Sequence, residues 1–576
     1  MAELPASLGP VVKATETAKV FADRAPSPRE LVANRDARFE RVHAVLPADA
    51  DAGAAVSLSV QAWDQCERLL SDFEGTFGLA STDPEAILPE TVSFDPPNGG
   101  LVRVDAVEFH TPGVQYLVLD HRETGRRFVT NPVRVHPRDA DPEYRTYWGD
   151  LHLHSALSDG TGTPERGLAF GREVMNLDVV AYTDHDTMGF FIPPSTQRKR
   201  MHRRYFDRTR EAVEAANDPG EFVSLMAYEW TKQPNQGGHV NVYFDDPADA
   251  TLFDSLDADT DTYEKLFARL RAFNDDGSGE ALAIPHHPAE SMYPFDFSAV
   301  DYDDEVAPLV EVYSQWGSSE RPGREGNRFP LRMGQGEVDE PGHYVQDALR
   351  MGYRVGMMAS ADYHGPHPGH SLIHTRPHLP SLHDWVQAGL GWSNVWRVWD
   401  EQSYPGGLVA IRAPELTREA VFDALRSRRV YGTTQPNRTL VEFTVDGVGV
   451  GEAESTAVVD DPTAEREVTV EVAGDAPLDS VTVVKNAEPW RTWEPESASG
   501  EKQWAAPPVS AADGGRDTVT LSGFTCEASW TDDDPVEGMA WDDARGSDAD
   551  AYYVRVEQVD GGAAWAGPVW VAVGRD

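Results

Sequence analysis

Between residues 146 and 440, short apolar runs alternate with helical patterns, and acids and imidazoles gather where the runs end. The runs are TYWGDLHLHS, LDVVAYTDHD, FVSLMAYEWT, GHVNVYFD, ALAIPHHP, APLVEVYS and YRVGMMASADYH. Between them, PERGLAFGREVMN, RTREAVEAAN, YEKLFARLRAFND and HYVQDALRMG carry helical periodicity. Near-continuous apolar strands alternating with helices imply a mainly parallel sheet covered on both faces. Seven such strands suit a closed or distorted barrel. The join between the third and fourth is too short for a crossover helix, so that pair is expected to break the regular order.

The flanks read differently. Residues 1–50 form a polar segment, helical or irregular. Over 51–145, AVSLSVQAW, GLVRVDAVEF, VQYLVLDH and RRFVTNPVRV alternate with period two, the pattern of a β-sandwich-like module. The helical stretch ELTREAVFDALRSRRVY closes the middle region. Residues 441–576 return to short alternating strands such as REVTVEVAG and YYVRVEQVDG, a second β-sandwich-like module. The expected fold class is therefore α/β, with a seven-stranded β/α barrel over 146–440 between two all-β modules.

Charge narrows the partners. Asp and Glu total 96 against 50 Lys and Arg, a formal net charge of -46. The acids are spread along the chain, and only seven residues are lysine. Such a surface fits concentrated salt, where a Debye length of roughly 3 Å at 1 M screens the self-repulsion. No basic face suggests nucleic acid. Cys66 and Cys526 lie far apart, which excludes a disulfide framework and argues against a thiolate zinc site. The first twenty residues lack the apolar core of a signal peptide. No run of about 18 apolar residues marks a membrane span. The chain reads as cytoplasmic.

Histidine placement carries the chemistry. Fourteen of the 18 histidines fall between His152 and His383, and residues 441–576 hold none. His152 and His154 share one side of an extended segment, so they can grip one ion or two neighbouring ions, with Asp159 folding back from the next turn. Asp184, His185 and Asp186 end the second run, and Glu229 ends the third, where a buried carboxylate needs a cationic partner. His239 opens the fourth run. His286 and His287 end the fifth, and strand alternation admits one of them to a site. Asp362 and His364 repeat the first spacing. Imidazole and carboxylate without thiolate suit Zn, Mn or Fe, and so many ligands imply more than one ion.

In this order, HxH, SDG, TDH, a strand-end Glu, HP and DxH resemble the polymerase and histidinol phosphatase (PHP) superfamily, over about 147–440. WGDLHLHSALSDG, VEVYSQWGSSE and GGLVAIRAPELTREAVFDALRSRRVYGTT resemble more narrowly the PHP-like family numbered 3604 among domains of unknown function. The resemblance implies a distorted seven-stranded barrel and two to three divalent ions. It implies a first ion on His152, His154, Glu229 and Asp362. A second would sit on His239 and His287, bridged by Glu229, and a third on Asp159, His185 and His364. His287 is preferred to His286 because the superfamily ligand directly precedes proline. The pattern often carries His where Trp316 stands, which implies a different specificity if that position touches substrate.

The expected activity is hydrolysis of a small phosphorylated substrate by metal-activated hydroxide. Asp184 and His286, with Asp186, are expected to orient ligands or relay protons, and Arg166 is one candidate to hold phosphate. The competing readings are hydrolysis of an amide or other non-phosphate bond, and a binding protein with purely structural metals. No oligomeric state follows from the sequence.

Overall fold

The computed structural model describes residues 36–189, 192–277, 279–333, 336–374, 404–495, 509–511, 518–543 and 545–574, with scattered positions before 36. The expected N-terminal helical segment lies largely outside the described residues. Its end is extended: Phe39–Val45 and Asp49–Asp51 are strands, because FERVHAV turns Val42 and Ala44 inward.

One mixed sheet of fifteen strands runs through the molecule. Its principal strands are β1 (Arg145–Asp150), β2 (Val179–Tyr182), β3 (Val223–Trp230), β4 (His239–Phe244), β5 (Ala281–His286), β6 (Leu309–Ser314) and β7 (Gly356–Ala359), then β8 (Gly407–Ala413), β9 (Val430–Thr434), β10 (Leu478–Lys485), β11 (Glu488–Trp493), β12 (Asp550–Gln558) and β13 (Ala563–Val573). The first seven pair in chain order. β1, β2 and β3 run parallel, β4 is antiparallel to both neighbours, and β5, β6 and β7 run parallel again. The irregularity expected between the third and fourth runs is this antiparallel β4, entered after the short segment 231–238. Every residue of β3, β4, β5 and β6 is buried, which is why these runs are mostly apolar.

The helices form where their caps dictate. Thr163, Thr262 and Thr417 each accept a backbone N–H through the side chain at the head of Pro164–Glu173, Tyr263–Asp275 and Arg418–Arg426. In Tyr263–Asp275, Leu266, Phe267, Leu270 and Phe273 form the buried stripe. Among the described residues no helix is long and apolar enough to cross a membrane.

β7 does not form a ladder with β1. Past their ends, a single parallel bridge joins Leu153 to Tyr363, with His154 N donating to Tyr363 O at 2.9 Å. Asp150 reinforces the junction: Oδ1 accepts from Ala361 N at 3.0 Å, and Oδ2 accepts from Gly369 N at 2.9 Å and Gln435 Nε2 at 3.1 Å. β7 instead lies against glycines of β8 and β9. A Cβ on Gly407 would stand 2.7 Å from Ala359 Cβ, and one on Gly432 would stand 2.7 Å from Ala359 N.

The other edge of β1 carries the sheet onward, through antiparallel β8, β9, β13, β12, β10 and β11. The C-terminal strands are therefore continuous with the central sheet. A four-stranded antiparallel sheet, which includes Leu440–Val445, Arg466–Ala473 and Thr525–Asp532, shares their core through Phe443, Val468, Val470, Val483, Val554 and Val569. The N-terminal strands form three small sheets around Leu58, Val60, Phe77, Phe94, Phe109 and Leu119.

Candidate metal centre

Glu229 stands one residue before the end of β3, fully buried. Five imidazoles face its carboxylate. His239 Nδ1 is at 2.6 Å, His154 Nε2 and His185 Nδ1 at 3.1 Å, His152 Nε2 at 3.2 Å and His286 Nε2 at 3.4 Å. A second carboxylate, Asp362, lies 3.3 Å from His154, 3.4 Å from His152 and 3.7 Å from His287. A third, Asp159, lies 3.4 Å from both His185 and His364. The structure thus brings all nine expected ligands into one cluster, at the rim where β1, β2, β3, β5 and β7 end and β4 begins.

Two backbone conformations shape the rim. His287 has φ 34° and Asp362 φ 51°, in the left-handed region that β-carbon-bearing residues disfavour. The turn at His287 breaks strand alternation, so His286 and His287 both point into the cluster, their rings 4.4 Å apart. The expectation that only one of them faces the site is corrected on this ground.

Desolvation and charge divide the imidazoles. Burial acts to lower His152, but Asp362, Glu311 and Glu229 outweigh it and hold it well above its ordinary value. Burial likewise opposes His154, yet Asp362 and Glu229 raise it to about 10. Burial lowers His185, with Glu229 and Asp159 opposing in part. Burial and neighbouring imidazoles lower His286 and His287. Burial acts to raise Glu229 and Asp362, but the surrounding histidines hold both well below the carboxylate range.

The residues fit divalent cations. Both ring nitrogens of His154 and His286, and Nδ1 of His287, are buried without a hydrogen bond of acceptable geometry. Leaving so many buried polar atoms unmatched is costly, and a cation satisfies them. Five overlapping sets of three or four residues place ligand atoms within 4.8 Å of one another. One holds His154, Asp159, His185 and His364, another His152, His154 and Glu229, and a third His239, His286 and His287.

The family model described as "Protein of unknown function (DUF3604)" matches residues 171–307 and 343–466. Over these two stretches the chain carries this family's pattern. The DUF3604 match takes in His185, Glu229, His239, His286, His287, Asp362 and His364, and begins after His152, His154 and Asp159. Curated relatives include uncharacterized proteins of Chlamydia trachomatis, 24% identical, and Chlamydia muridarum, 23% identical, each over 479 residues and 82% of this chain. The chain spans 65% of the length of these relatives. Among solved structures, a two-domain protein from Bacteroides vulgatus, described as containing a predicted PHP-like metal-dependent phosphoesterase, shares 14% identity. That comparison covers 74% of this chain and 96% of the other, with a TM-score of 0.34.

Around the cluster, the remaining candidates take different places. Asp184 turns away from the imidazoles to the SALS loop. Its carboxylate accepts from Ser155 N at 2.9 Å, Ser155 Oγ at 2.6 Å, Ser158 N at 3.1 Å and Ser158 Oγ at 2.6 Å. It thereby fixes the loop that leads to Asp159. Asp186 accepts from Thr231 N at 3.0 Å and Ser255 N at 2.6 Å, and burial lifts it to about 7. Arg166 is exposed in the first turn of Pro164–Glu173 and does not line the cavity above the cluster.

Two acids escaped the sequence reading. Glu311 on β6 is buried and faces His152 Nδ1 at 3.0 Å, fixing that ring. Its signal is a lone acid inside the apolar run APLVEVYS. Asp150, directly before LHLH, holds the β1–β7 junction, and burial raises it to about 7 against its amide donors.

Proposed function

We propose that this chain is a metal-dependent hydrolase of phosphate esters, acting at the rim of a distorted PHP-type barrel formed by β1–β7. The carrying observation is the convergence of five imidazoles on Glu229, with the buried ring nitrogens of His154 and His286 left without a hydrogen bond. The motif order shared with the PHP superfamily favours phosphate over other esters and a small phosphorylated substrate.

His152, His154, Glu229 and Asp362 would hold one ion, His239 and His287 a second, and Asp159, His185 and His364 a third. The inward ring of His286 makes it a further candidate ligand. When bound, Mn, Zn or Fe(II) supplies Lewis acidity and lowers the pKa of water. The protein's own groups do the rest. Glu311 keeps His152 in one orientation, and Asp184 holds the loop carrying Asp159. Tyr293 keeps its proton, because burial and then Glu290 push the phenol well above its ordinary value. Its hydroxyl is 3.9 Å from Met188 Sδ, a weak acceptor, and is available to donate to a substrate oxygen.

The test is turnover of p-nitrophenyl phosphate and bis(p-nitrophenyl) phosphate with added Mn²⁺, beside metal analysis. His152→Ala should lose both metal and turnover. Metal lost with turnover unchanged defeats the mechanism.

A further inference from the structure

The cavity above the cluster has two unlike halves. His185, Glu229, His239, His287, Asp362 and His364 form one. Met188, Met292, Tyr293, Trp316 and Met333 form the other. The cavity is partly open to solvent.

The second half is built, not incidental. Met292 N and Tyr293 N both donate to Glu290 Oε2, at 2.8 and 2.7 Å, and Glu290 is fully buried. Gln315, just before Trp316, donates its Nε2 to Asp362 O at 2.6 Å and its backbone N to Ala361 O at 3.1 Å. Arg332 N donates to Trp316 O at 3.0 Å, which ties the Met333 segment to the Trp316 backbone. The wall is thus tied to the backbone that carries Asp362. The Trp316 ring meets His364 edge-on at 6.1 Å, and the Tyr293 ring lies 4.3 Å from His239. A group bonded to a centre reacting at the cluster can lie against this wall.

We propose that Met188, Met292, Met333, Trp316 and Tyr293 form a subsite for a flat apolar substituent, so that the substrate is an ester carrying an aromatic or similarly planar apolar group next to the scissile bond. This rests on the hydrolase reading above. Indole and phenol faces offer stacking area, and unbranched thioethers shift to fit a ring edge. The same five side chains pack with Ala289, Leu331 and Tyr344 as a small cluster apart from the main cores.

The experiment compares benzyl phosphate with methyl phosphate on the Mn²⁺-loaded protein, since the two alcohols leave with nearly equal ease. A parallel calorimetric titration compares benzylphosphonate with methylphosphonate, which are not hydrolysed. Benzyl phosphate should exceed methyl phosphate at least tenfold in kcat/KM, and benzylphosphonate should bind at least tenfold tighter. Trp316→Phe and, separately, Met333→Ala should each shrink the benzyl preference in binding at least threefold. If neither ester turns over but benzylphosphonate keeps its advantage, the hydrolase reading fails and the subsite stands. Equal affinity for the two phosphonates, binding of neither, or an undiminished preference in both variants overturns the subsite.

Discussion

At the scale of single residues, the centre depends on how each imidazole is held as much as on the ligand set. Glu311 touches no proposed ion, yet it fixes His152 through Nδ1 at 3.0 Å. Replacing such an outer partner typically lowers metal affinity by about 10–100-fold. Glu311→Gln should therefore weaken metal binding by that order in a competition titration against a chelator, with the fold intact by circular dichroism. Unchanged affinity would remove Glu311 from the site. The residues that converge on Glu229, Asp362 and Asp159 were legible in the sequence because histidines and acids at the ends of apolar runs have few other reasons to be there. Glu311 was not, because a lone acid in a buried strand looks the same whether it meets a histidine or an arginine. The joint approach of His286 and His287 was not either, because it follows from one left-handed φ that no spacing announces.

Among the elements, the position of β7 matters most, since Asp362 and His364 follow it directly. β7 reaches its place by lying on the bare backbones of Gly407 and Gly432. Gly432→Ala would put a methyl 2.7 Å from Ala359 N, where main chain has to move. Overpacking of this kind costs about 1–3 kcal/mol. The variant should melt several degrees lower and carry less metal, and an unshifted melting curve with full metal content would contradict this packing account. The seven runs and the antiparallel exception could be read from periodicity and join length. The seam between β1 and β7 could not, because it rests on one bridge, one aspartate and two glycines from distant parts of the chain.

Across the whole molecule, two conditions should govern stability. The first is acid. His370 stacks on Trp63 at 4.0 Å and faces Glu67 O at 3.2 Å, joining the N-terminal strands to the segment after β7. Burial lowers it to about 4, with Arg41 adding to this and Glu67 opposing. Burial also lowers nearby His367, to about 3. A histidine depressed in the folded state takes up more protons when unfolded. Stability is then full above its unfolded value of about 6.5 and falls as pH drops toward 4. Urea midpoints measured from pH 7 to 4 should fall over that window, and less steeply in His370→Gln. A parallel decline in both proteins would place the effect elsewhere. The second condition is salt: with a formal charge of -46, midpoints should rise as NaCl goes from 0.1 to about 2 M. A flat response would show that the acidic surface needs no screening.

The unbroken passage of the sheet from β1 through β8 and β9 into β13 bears on how the protein can be dissected. Tyr431, Gly432 and Thr433 pair with Ala566, Trp565 and Ala564. A recombinant piece stopped near residue 440 would strip that partner away and bare a hydrogen-bonding border, which invites another copy to dock in its stead. Such a truncate should elute as higher assemblies in size-exclusion chromatography, whereas a monodisperse, metal-replete product would mean the border heals itself. The histidine-rich rim and the carboxyl-terminal strands share one continuous fabric and stand or fall together.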